Sequence, residues 1–153
     1  MVLHNAEEAL FFPRYLPLVL ARLPESWKPL AGAMTLGQMW TALLLVTLVP
    51  VALAAWATLR PGNGVPVWLL LLVQATLLLN ALWHVSAAIL IFNGYAPGLA
   101  TAVLFNLPAA VYLLRRAARE DWVSRRARWA LLPGAFLMHG PVLSGFLLMM
   151  ERL

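Results

Sequence analysis

Long apolar runs, not an alternation of apolar and polar positions, set the pattern of this chain. The run after Thr35 extends through MWTALLLVTLVPVALAAWATL. Thr35 can cap its start and Gln38 can close a capping box, which predicts a helix over about 36–59. RPGNGVP is a turn signal, and Pro66 suits the first turn of the next run, over about 67–92. NGYAP breaks the chain again, and runs over about 98–114 and 129–150 follow. A helical bilayer crossing takes about 20 apolar residues, so the pattern predicts four transmembrane helices. Interior prolines free carbonyls that need partners, which predicts kinks at Pro50, Pro108 and Pro141 facing protein or water and not lipid.

The first 34 residues differ. VLHNAEEALFF reads as about three helical turns, whereas PRYLPLVLARLPESWKP carries four prolines and does not fit one straight helix. A short inserted N-terminal helix followed by a broken interfacial segment is therefore expected over 1–34. No internal repeat is present, and 1–153 reads as a single transmembrane domain.

Composition agrees. Of the residues, 63% are hydrophobic and 11% charged, and mean hydropathy is +0.82, too little polar surface to cover a water-soluble globule. The expected fold class is an all-α integral membrane protein, and no cleavable signal peptide is visible. A net charge of +5 would raise nucleic-acid binding in a soluble protein, but six of the eleven bases lie in RRAAREDWVSRRAR between two apolar runs. That is a positive-inside signal, so nucleic acid is not expected as a partner and membrane lipids are. Arg60 and those six bases face four elsewhere, Arg14, Arg22, Lys28 and Arg152. The split places the 115–128 loop in the cytoplasm and both termini outside, as in a bacterial inner-membrane protein. There is no cysteine, which excludes disulfides and thiolate chemistry.

Within the apolar runs, Gln74, Asn80, His84, Asn106 and His139 need explanation, because an amide or imidazole in hydrocarbon must find a partner. Gln74 reads as an interhelical hydrogen bond. Asn80 and His84 are four apart and share a face. In His4-Asn-Ala-Glu7-Glu8, spacings of three and four put His4, Glu7 and Glu8 on one arc of a helix. With Phe12 near the outer interface, His4 lies about 12 Å deeper, at the level of His84, Asn106 and His139. All three histidines and two of the six acids can then meet near the midplane. Carboxylates at that depth need a cation, a hydrogen-bond network or a raised pKa. His4, Glu7, Glu8, His84 and His139 suffice as a first shell for one metal ion, with zinc or non-haem iron both compatible. Glu7 and Glu8 are also candidate acid–base groups, and Asn80 and Asn106 candidate orienting partners.

The same residues carry a family resemblance. His4-Asn-Ala-Glu7-Glu8, then Asn80-Ala-Leu-Trp-His84, then Tyr95, Pro97, Gly98 and Thr101 in YAPGLATA resemble, in order, the elements of the HXXEE family of small multi-span membrane proteins. The resemblance covers most of the chain, and implies membership of an uncharacterised family for which enzymatic or metal-site roles are only proposed. Read directly, Pro97 can start a helix, Gly98, Ala100 and Ala102 offer surfaces for close helix approach, and Tyr95 can hydrogen-bond a site residue.

The leading functional expectation is a membrane-embedded enzyme whose buried His/Glu site, with or without a metal, acts on a lipid-like or apolar small molecule. Metal-dependent hydrolysis and oxidation are both open. Two rivals use the same polar cluster: a proton or cation path in a transporter-type protein, and a structural or partner-binding subunit. Oligomeric state is not readable.

Overall fold

In a computed structural model the described residues are 1–22, 25, 28, 35–60 and 64–151; they are helical throughout, with no strand among them. Helix α1 spans Val2–Arg22 and α2 Leu36–Leu59. α3 begins as Gly64–Ala87 and continues through a π-helical turn, Ala88–Phe92. α4 joins Leu99–Thr101, the π turn Ala102–Asn106 and Leu107–Arg119. α5 is Arg125–Trp129, and α6 joins Leu131–Leu137, the π turn Met138–Val142 and Leu143–Glu151.

Three helical stretches among the described residues are long and apolar enough to cross a membrane: Leu36–Leu59, Gly64–Phe92 and Arg125–Met149. The expected fourth crossing corresponds to α4, which is not one of these three; Asn106, Pro108 and three arginines, Arg115, Arg116 and Arg119, dilute its apolar run. Leu44, Leu48, Leu90, Leu104 and Phe136 are exposed, as on a molecule whose outer surface meets hydrocarbon.

The start of α2 has the capping box that the sequence spells. Thr35 Oγ1 accepts from the Gln38 N–H at 3.2 Å, and Gln38 Oε1 accepts from the Thr35 N–H at 2.8 Å. α3 is the central helix, packed against α2, α4 and α6. At one end its Leu71, Leu72 and Ala75 close a core with Ala117, Val123, Leu131 and Ala135, where Trp68 Nε1 also donates to the Ala127 carbonyl at 3.0 Å. Alanines 42, 81, 88, 102 and 110 are buried, and side chains this small let helix backbones approach closely without a hydrophobic drive between them. The 120–124 turn is tied by side chains: Trp122 Nε1 and Arg116 Nε each donate to Glu120 at 2.8 Å, holding its carboxyl below the usual range.

One expectation about proline is corrected. α1 does not stop near Phe12; it runs through Pro13 and Pro17 to Arg22. Pro13 has no N–H for the Ala9 carbonyl four residues back, and that carbonyl instead accepts from Trp40 Nε1 of α2 at 3.2 Å. The rest of the expected interfacial segment falls mostly outside the described residues, Trp27 included. Of the two surroundings expected for the helix-interior prolines, protein or water, Pro108 and Pro141 are not packed in protein; both are exposed. Pro108 lies two residues past one π turn and Pro141 lies within another, so the extra residue in the ladder relieves the ring.

The Ala9–Trp40 contact makes a paired test. Trp40→Phe is expected to lower unfolding stability in detergent by about 1–2 kcal/mol, the cost of a carbonyl left without a donor. Adding Pro13→Ala, which gives Ala9 its ladder partner back, is expected to recover most of that loss; no recovery would mean the indole acts through packing alone.

Candidate metal centre

The site forms where α1 crosses the loop between α3 and α4. The 93–98 stretch turns sharply: Asn93 and Gly98 both take positive φ, 46° and 80°. Gly98 is the residue before α4; the Leu99 N–H donates to the Ala96 carbonyl at 3.0 Å, and the N–H groups of Ala100 and Thr101, the next two, have no acceptor within their own helix.

Glu7 meets them. Its carboxylate accepts from the Thr101 N–H at 2.8 Å and the Ala100 N–H at 3.3 Å, and from the hydroxyls of Thr101 and Tyr95. A side chain on α1 thus caps α4 from outside, with its negative charge at the positive end of the helix dipole. The Tyr95 ring in turn packs edgewise on Phe11, with centroids 5.9 Å apart.

Glu8, one residue further on and therefore about 100° around the helix, faces elsewhere. Its Oε1 lies 3.2 Å from His84 Nε2 and 3.8 Å from His4 Nε2. One ligand atom from each of His4, Glu8 and His84 lies within 4.8 Å of the other two. Two ligands of a tetrahedral ion about 2 Å from the metal stand about 3.3 Å apart, so the set needs only a small closure to hold one ion. The imidazoles meet edge to face, centroids 4.7 Å apart and planes at 84°.

The tautomer of His4 is fixed by geometry. Its Nδ1 lies 3.0 Å from the Gly98 carbonyl, which can only accept, so Nδ1 carries the proton and Nε2 presents a lone pair. Thr101 Oγ1, 3.2 Å from the same Nδ1, has its own proton committed to Glu7. The Nε2 atoms of His4 and His84 are both buried, and neither has a hydrogen-bond partner among the described residues, Glu8 Oε1 standing 3.2 Å from that of His84 as an ion-pair neighbour. An imidazole held through Nδ1 by a backbone carbonyl with Nε2 free is the arrangement of a metal-ligating histidine.

These residues span the elements of a known sequence family. The family described as "Protein of unknown function with HXXEE motif" matches residues 1–113. The chain belongs to the HXXEE family. No curated protein matches it, and no solved structure does.

The HXXEE motif residues divide their work. His4 and Glu8 face His84, Glu7 caps α4, and Asn5 bonds α1 to α2, its Nδ2 donating to Thr47 Oγ1 at 2.6 Å and to the Leu43 carbonyl at 3.3 Å. Sequence reasoning gave Asn5 no role, although a buried amide between a histidine and two acids was itself a signal. Asn106 is buried, with Oδ1 accepting from the Met1 amino group at 2.7 Å and Nδ2 unpartnered; Asn80 Oδ1 is also buried without a partner. His139 lies within electrostatic range of His84 and Glu8, but outside the set whose ligand atoms converge. Gln74 is half-buried on α3.

Gly98 is the residue whose importance for this HXXEE protein emerges only in three dimensions. A Cβ there would stand 2.7 Å from His4 Cε1, 2.9 Å from Glu8 Cγ and 2.9 Å from His84 Cε1, on a backbone with φ +80°. All three converging side chains pack on the space where a side chain would be. On the other side, Glu8 is 23% exposed and, with His84, floors a cavity of about 180 Å³ walled by Phe12, Trp83, Ile91 and Phe92.

Gly98→Ala is expected to destabilise the fold by about 2–4 kcal/mol, through both φ strain and overpacking. Gly145→Ala, at a helical glycine with nothing within 4 Å of the new Cβ, is expected to be neutral or stabilising by up to about 1 kcal/mol. Thermal unfolding in detergent compares them; equal effects would contradict the crowding at Gly98.

Proposed function

We propose that the protein is a membrane-embedded, metal-dependent enzyme in which His4, Glu8 and His84 hold one zinc or non-haem iron ion and the adjoining cavity admits a lipid-like substrate. The observation that carries this reading is the pair of buried, unpartnered Nε2 atoms converging with Glu8. Two buried imidazole nitrogens that face one carboxylate without a hydrogen bond to it are a costly arrangement, and one cation between them satisfies all three. Two histidines and one carboxylate with an open side are the ligand set of catalytic zinc sites and of non-haem iron oxygenases. The ion would supply Lewis-acid or redox chemistry. Glu7, Thr101 and the Gly98 carbonyl act as positioning groups, and His139 stands beside the centre as a further titratable group.

The expected result is about one equivalent of zinc or iron per chain by elemental analysis of purified protein. His84→Ala and Glu8→Ala are each expected to lower the content at least about tenfold, in the range seen when metal-site residues are altered, with helicity retained; His139→Ala is expected to keep the ion. Metal-free protein with the three residues intact would return the cluster to a proton path or a hydrogen-bonded structural core.

The same reading has α4 crossing the bilayer as a fourth span, with the 115–128 loop cytoplasmic and α1 inserted from the outer side. Because the chain is free of cysteine, a single Gly94→Cys variant reports this directly. Labelling by an impermeant thiol reagent from outside is expected, and labelling only from the cytoplasmic side would invert the topology.

A further inference from the structure

The cavity at the candidate centre has a polar floor and apolar walls, and a cationic side chain stands against one of its wall residues. Glu8 and His84 form the floor, and Phe12, Trp83, Ala87, Ile91, Phe92 and Pro97 line the rest. Ile91, one residue before the end of the π turn that closes α3, is one of these lining residues, and its carbonyl accepts from the Arg22 guanidinium at the end of α1. A carbonyl in the last turn of a helix lacks a ladder partner, which accounts for one N–H of Arg22. A guanidinium has five donors in a planar fork, and no carboxylate among the described residues pairs with Arg22, which is exposed. Such a fork grips a carboxylate or phosphate with two parallel hydrogen bonds.

Ile91 lies seven residues beyond His84, about 10 Å along the helix. An amphiphile anchored at Arg22 therefore runs along the cavity with its headgroup about that far from the converging histidines. The cavity volume of about 180 Å³ takes one alkyl chain segment and not two.

From this geometry we infer that the site binds a single-chain amphiphile with an anionic headgroup, carboxylate or phosphate, held by Arg22, and presents an internal position of the chain, not the headgroup, to Glu8 and His84. The role of that ligand as substrate rests on the metal-centre reading; its binding does not. Charge complementarity at Arg22 selects this occupant over a neutral lipid, and the small volume of the cavity favours one chain over the two of a diacyl phospholipid.

The test uses the full chain in phosphatidylcholine vesicles with three photoreactive probes of one chain length carrying a mid-chain diazirine: a fatty acid, an alkyl phosphate and an alcohol. Labelled peptides are located by mass spectrometry. The expected result is labelling of Glu8 or of residues 83–87 by an anionic probe, removed by excess unlabelled fatty acid or alkyl phosphate, and weaker by about tenfold with the alcohol or in Arg22→Gln, as loss of a charge-assisted contact implies. Whichever anionic probe labels better identifies the headgroup. Ile91→Trp, which narrows the wall, is expected to reduce labelling as well.

Labelling that excess ligand does not remove is ordinary lipid contact and overturns the site. Equal labelling by alcohol and anions, or an undiminished signal in Arg22→Gln, overturns the headgroup assignment. Metal content is measured on the same samples. Specific labelling of metal-free protein defeats the metal reading and leaves this one standing, whereas bound metal without competed labelling defeats this one alone.

Discussion

The helix that starts at Leu99 has no side chain of its own to cap it, and the N–H groups of Ala100 and Thr101 have no acceptor within their own helix. A donor left without a partner on folding costs about 1–3 kcal/mol, a sizeable share of the net stability of a small domain. Glu7 removes that cost with one carboxylate on a different helix. Much else at the site follows from the contact. Docking α1 on the start of α4 places His4 under the Gly98 carbonyl, which sets its tautomer, and turns Glu8 toward His84. Gly98 must then be glycine, because the three side chains close over it.

Adjacent carboxylates on one helix would repel each other if they shared a partner. Here the 100° step between neighbouring residues separates them: Glu7 finds a helix dipole and four donors, and Glu8 finds two imidazoles. The two are not interchangeable, although the motif writes them as a pair. π turns accompany the polar residues as well. His84 precedes the turn Ala88–Phe92, Asn106 ends the turn Ala102–Asn106, and His139 lies in the turn Met138–Val142. A π turn widens the ladder and re-aims the residues around it, which is why such turns gather at functional sites.

The shared arc of His4, Glu7 and Glu8 was legible in the sequence because a helix of known period fixes which residues face together. The capping box at Thr35 was legible for the same local reason. The division of labour between the two glutamates was not, because it depends on where the start of α4 falls relative to α1, a tertiary fact. Pro13 misled in a similar way: its cost to α1 is real, but Trp40, 27 positions further along the chain, offsets it across a helix interface. For Pro108 and Pro141 the sequence predicted freed carbonyls facing protein or water, and it did not show the π turns that sit beside them. Gly98 looked like a surface for helix packing and is instead the floor beneath His4, Glu8 and His84.

The central claim is that His4 and His84 coordinate one ion together with Glu8. X-ray absorption at the metal edge of the purified protein tests it most directly. The account requires a first shell of nitrogen and oxygen at about 2.0–2.2 Å, with the outer-shell scattering pattern of two imidazole rings that is lost in His84→Ala. A shell of oxygen alone, or a two-imidazole pattern unchanged in His84→Ala, would contradict it.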